Sequence, residues 1–78
     1  MALKPIPTML VIKTQQYLGD EGLTFLREVK NSEAGLISVH FNQGMQLRNF
    51  MRSSGDCQGW TDHDYDDSWM ALTELCIK

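Results

Sequence analysis

Seventy-eight residues with a net charge of −3 make a single domain, residues 1–78, and leave no room for a second. A chain of this length buries only about 60% of its unfolded surface, so its margin of stability is thin. The acidic balance speaks against a nucleic-acid partner, because phosphate binding draws on a basic surface. No stretch approaches the ~20 consecutive apolar residues needed to span a bilayer, so no membrane partner is expected either.

Residues 1–7 read as an extended N-terminal arm, since Pro5 and Pro7 restrict themselves and their predecessors. Thr8 is placed to cap a helix through MLVIKTQQYL to about Leu18. Its apolar residues are scattered around the wheel, and Met9–Ile12 fits a short buried strand as well. Gly19 followed by Asp20 reads as a stop and a new N-cap. A second helix then runs from Glu21 to about Lys30, with Leu23, Phe25, Leu26 and Val29 on its apolar side. Acidic residues at its start and Lys30 at its end suit the helix dipole. Asn31 and Ser32 break the pattern, and Ser32 is placed to cap the next helix.

That next helix, about Glu33–Arg52, is the element the rest covers. At roughly 100° per residue, Leu36, Ile37, Phe41, Leu47 and Met51 gather on one side, with Ser38, Asn42, Gln46 and Asn49 opposite. Three residues interrupt the apolar side. Gly44 costs about 1 kcal/mol relative to alanine inside a helix, so close approach of another backbone or a large ring should offset it. Arg48 near the edge requires a carboxylate partner, because an unpaired buried charge is expensive. His40, if buried, requires a hydrogen bond through either ring nitrogen. The trio fits a structural cluster, or alternatively a small anion site.

SSGDCQGWTD is a loop by composition, within which Trp60 is expected to fold back over the core. The last helix begins within DHDYDDSW and buries Tyr65, Trp69, Leu72 and Cys76. The whole is an all-α fold, a small bundle of about four helices.

Asp62, Asp64, Asp66 and Asp67 with His63 imitate the opening of a calcium loop. Asp67 stands where that loop needs glycine, however, and Thr73 where it needs a bidentate glutamate. Cys57, His63, Cys76 and His40 lack paired zinc spacing. No metal, no cofactor and no catalytic residue is assigned. Asp62 or Asp64 is expected to cap the helix, and Asp66 or Asp67 to pair with Arg48, with Asp66 preferred. No secretory signal is recognised, since the apolar run Met9–Ile12 is too short for one, so a cytoplasmic location with free thiols is the expectation.

HFNQGMQLRN (His40–Asn49), followed by DDSW (Asp66–Trp69), resembles a family of small bacterial and phage proteins with an H-F-x-x-G-M-x-x-R-N segment. A downstream Asp-Asp pair opens the last helix in that family. The resemblance spans most of the chain and marks His40, Phe41, Gly44, Met45, Arg48, Asn49, Asp66 and Asp67 as its signature. It departs after Asn49, where FMRSSGDCQGW replaces a tryptophan-rich continuation. It implies an all-helical fold and brings no function with it.

Two functional classes remain. The favoured one is a non-enzymatic interaction module that docks on another protein, with Trp60 and Arg52 as candidate surface residues. An inhibitor or immunity-like partner of a basic target is one version. It draws on two tryptophans, five methionines and segregated charge, with Arg48 and Arg52 ending one helix while five aspartates crowd Asp56–Asp67. The alternative is a small-anion or catalytic pocket of His40, Arg48, Asn49 and Asp66. Asn49 projects from the polar side, which weakens it. Nucleic-acid binding would need Arg48, Arg52, Lys13 and Lys30 gathered near Trp60, and is not expected.

Overall fold

The first helix begins where proline ends. In the computed structural model, which describes residues 5–78, α1 runs Thr8–Lys30 and opens on the Pro7 carbonyl. That carbonyl accepts from the Leu10 and Val11 N–H groups at 3.0 and 3.3 Å, and the Thr8 side chain makes no cap, contrary to expectation. Residues 1–4 of the expected arm lie outside the described residues. The Met9–Ile12 run is helical, which settles the choice between helix and strand.

The two expected N-terminal helices form one element bent at Gly19. Gly19 adopts φ 68° and ψ 178°, a region essentially closed to residues with a Cβ. Helical geometry is interrupted at Gly19, where the stop was expected, and the kink separates Leu10 and Thr14 on one side from Leu26 on the other, all fully buried. The Thr14 hydroxyl sheds its polarity by donating to the Leu10 carbonyl at 2.7 Å. Ser32 caps no following helix. Its hydroxyl donates to the Val29 carbonyl at 2.6 Å and accepts from the Gly35 N–H at 3.3 Å, closing the turn after α1.

The expected helix over Glu33–Arg52 is divided. A 3-10 turn covers Leu36–Val39, and α2 covers Gln43–Ser54. Gly35 enters with φ 68°, and Asn42 leaves helical space at φ −106° and ψ −96°. The intervening Ile-Ser-Val has low helix propensity. In 3-10 geometry residues three apart share a face. Leu36 and Val39 therefore turn inward together, while Ile37 and Phe41, expected on the apolar side, are 60% and 78% exposed. The expected bundle of about four helices thus becomes three α-helices and a 3-10 turn, and no strand occurs among the described residues.

The last helix, α3, spans Asp62–Cys76. Thr61 caps it. Its hydroxyl accepts from the Asp64 N–H at 3.3 Å, while the Asp64 carboxylate accepts from the Thr61 N–H at 2.8 Å. Asp62 and Asp64 thus sit in the first turn instead of at the cap itself. Tyr65, Trp69, Leu72 and Cys76 are buried as expected. The helix packs against both α1 and α2, and Trp60 covers the core from the loop.

α3 carries no basic residue in its last turn, so its terminal carbonyls need partners from elsewhere. α1 supplies them from either side of its bend. Gln15 Nε2 donates to the Cys76 carbonyl at 3.0 Å and Arg27 Nε to the Ile77 carbonyl at 3.3 Å. The arginine also places positive charge where the helix dipole favours it. No helix among the described residues is long and apolar enough to cross a membrane.

Candidate functional site

Three contacts between α2 and α3 fall in register, each step of four residues up α2 going with a step of three or four down α3. The two helices therefore run antiparallel along one seam. Gly44 faces Trp69, Arg48 faces Asp66, and Arg52 faces Asp62.

At the first contact, a Cβ built on Gly44 would lie 2.9–3.1 Å from three atoms of the Trp69 ring. Only glycine lets the indole come this close. Gly44 lies in the first turn of α2 and not in mid-helix as expected, and a glycine here is accounted for by the ring, which is completely buried. Its Nε1–H finds no hydrogen-bond acceptor among the described residues. Leaving such a donor unpaired costs about 1–3 kcal/mol, so the fit of the ring outweighs the loss of its polar bond.

One turn along, Arg48 is buried and its Nε lies 3.1 Å from an Asp66 carboxylate oxygen. The side chain of Asp66 is 52% exposed, so water reaches the carboxylate but barely reaches the guanidinium. The other edge of the guanidinium meets His40 Nδ1 at 3.3 Å from Nη1. With His40 as acceptor, that ring nitrogen is the unprotonated one. The imidazole also lies edge-on to Phe41, with centroids 5.0 Å apart, and 6.0 Å from the Trp69 ring. His40 reaches this place from the turn after the 3-10 segment, where its backbone N–H donates to the Ile37 carbonyl, and not from the middle of a helix as expected.

The third contact is exposed. Arg52 approaches Asp62 at 3.1–3.2 Å through two nitrogens and lies over the Tyr65 ring, 5.1 Å from its centroid. The sequence reading missed this pair, whose signal was the four-residue step from Arg48 to Arg52 matched by the step from Asp66 back to Asp62.

Of the expected cluster, His40, Gly44, Arg48 and Asp66 come together. Asn49 and Asp67 do not. The Asn49 side-chain oxygen accepts from Arg52 at 2.9 Å, and Asp67 lies 3.1 Å from His63. Phe41 and Met45, the other signature positions, are exposed. Among the described residues no group of three or more His, Cys, Asp or Glu converges in a metal-binding arrangement. The two thiols are free and buried. Burial raises the Cys76 pKa from 9.0 to about 11, which keeps it protonated and a weak nucleophile near neutrality. Burial, and then the neighbouring Asp56 charge, push Cys57 upward too.

Sequence reasoning missed a second region altogether. On α1, beside α2, Tyr17 and Phe25 stand half exposed, and Tyr17 stacks on Phe50 of α2 with centroids 4.4 Å apart and planes 19° apart. No family model matches this chain, and no curated protein or solved structure matches it either.

Proposed function

We propose that the chain is a small, non-enzymatic protein-interaction module, the role of an inhibitor or immunity-like partner being one form of it. The observation that carries this reading is the amount of apolar surface left in water. Met9, Ile12, Tyr17, Phe25, Ile37, Phe41, Met45 and Leu75 are each more than a third exposed, with Phe41 at 78%. Single exposed apolar residues are ordinary. A short chain that turns two phenylalanines, a tyrosine and two methionines outward carries the residue types that dominate binding energy at interfaces.

The arrangement of charge gives further support. Lys13, Lys30, Arg48 and Arg52 each face a carboxylate of the same chain, at 3.0–3.9 Å. Each of these four cations would have to leave a carboxylate to meet a phosphate backbone. The alternative, an anion or catalytic pocket at His40, Arg48 and Asp66, draws less support. Arg48 is already held by a carboxylate on one edge and an imidazole on the other, so an incoming anion would first have to displace Asp66.

Photo-crosslinking residues placed at Phe41 and at the exposed, polar Glu33 test the reading in the cells that make the protein. Discrete heavier adducts from position 41 and none from position 33 are expected. Absence of adducts from every exposed apolar position would contradict it.

A further inference from the structure

We infer that the groove between the second half of α1 and the start of α2 receives a segment of another protein that carries lysine or arginine beside large apolar side chains. The inference deepens the interaction reading and rests on it. The groove encloses about 480 Å³, with Tyr17, Phe25 and Leu26 on its α1 side and Gln43 and Gln46 on its α2 side. Through Glu21 and Phe25 it continues into a shallower depression of about 320 Å³ that adds Asp20, Thr24 and Glu28.

Charge selects the occupant. Asp20, Glu21 and Glu28 have no cation partner among the described residues, and no lysine or arginine lines either depression. The nearest basic residue on the helix, Arg27, is engaged with the Ile77 carbonyl. From Asp20 to Glu28 the helix rises on the order of 12 Å, so three carboxylates share one short stretch. Four carboxylates elsewhere are paired with cations of the chain, in Lys13–Asp56, Lys30–Glu74, Arg48–Asp66 and Arg52–Asp62. Asp20, Glu21 and Glu28, without a cation among the described residues, thus lie together beside the aromatic groove. A cation arriving there relieves mutual repulsion and is steered in by the negative field.

The groove itself is prepared for apolar anchors. Tyr17 is held by its stack on Phe50, so little side-chain freedom is lost when a partner covers it. Gly22 leaves the floor between Tyr17 and Phe25 low. The Gln43 carboxamide oxygen has no donor among the described residues, and rotation of the amide offers it to an incoming N–H. A second copy of this chain is the poorer occupant, because the internal ion pairs tie up most of its cations.

The test is an NMR titration of the labelled protein with a helical peptide of leucine and lysine, beside the same peptide with glutamate for lysine. Shifts confined to Tyr17–Glu28 and Gln43–Gln46 are expected for the lysine peptide alone, weakening with salt. Glu21→Lys should loosen binding about tenfold, or ~1.4 kcal/mol. Phe25→Ser should abolish it with the rest of the spectrum unchanged. No binding, equal binding of the glutamate peptide, or shifts centred on Phe41 and Met45 would overturn the inference. So would a dimer in sedimentation that Phe25→Ser dissociates, since the occupant would then be a second copy. A crosslinker at Phe25 separates the two levels of the proposal. Adducts at another exposed apolar position but none at Phe25 leave the interaction reading standing and remove the groove, whereas adducts at none of these positions remove both.

Discussion

Along the seam between α2 and α3, each charged group meets its opposite and the large ring meets a residue with no side chain. Arg48 has Asp66 and His40, Arg52 has Asp62, and Trp69 has Gly44. Along the outer face of α1, three carboxylates stand beside two half-exposed rings with no cation among the described residues to balance them. Both regions are built from the same residue types: acids, aromatics and a helical glycine. What differs is closure. The seam satisfies its groups within the chain and so holds the fold, while the face of α1 leaves them to be satisfied by something else.

One substitution made in both regions sharpens that difference. Gly44→Ala sets a methyl within about 3 Å of an indole that has no room to move. Overpacking of this kind costs about 1–3 kcal/mol, and at the second residue of α2 helix propensity returns less than the ~1 kcal/mol of an interior site. Because the ring is fully buried, the upper part of that range applies, and urea unfolding should show a net loss of about 2 kcal/mol. Gly22→Ala meets only the Leu18 side chain, at 3.1 Å, on the half-buried groove side. A shift of a few tenths of an ångström there nearly cancels the propensity gain, so stability should change by no more than about 0.5 kcal/mol. Equal losses from the two would break the contrast between a closed seam and an open face.

The parts of this fold legible in the sequence are those where one physical demand has a single answer. A buried guanidinium requires a carboxylate, and the wheel of the last helix put Asp66 beside the buried stripe, so the Arg48–Asp66 pair was readable. The glycine was expected to admit a large ring, and Trp69 is that ring, although Gly44 sits in the first turn of α2 and not in mid-helix. The stripe Tyr65, Trp69, Leu72 and Cys76 followed from helical spacing alone. The misreadings of the central helix share a cause, the assumption of one uniform period from Glu33 to Arg52. The change to 3-10 geometry over Leu36–Val39 rotates everything before Gln43, which turned Ile37 and Phe41 outward and set His40 in a turn. Phe25 was counted with the core because it borders Leu26, yet only Leu26 is enclosed. The groove needed α2 as its second wall, and no single helical wheel contains that.

The seam is tested most directly by a double-mutant cycle on Arg48 and Asp66, read as urea unfolding free energies. Breaking a fully buried pair costs about 3–5 kcal/mol, and half-exposure of Asp66 lowers the figure. Asp66→Ala, which leaves the guanidinium with His40 alone, should cost about 2 kcal/mol. Arg48→Met, which replaces charge by a side chain of similar reach, should cost less than about 1, and the double variant should match Arg48→Met within error. A loss from Asp66→Ala no larger than that from Arg48→Met would show that the carboxylate does not hold α3 to α2, and would contradict the account.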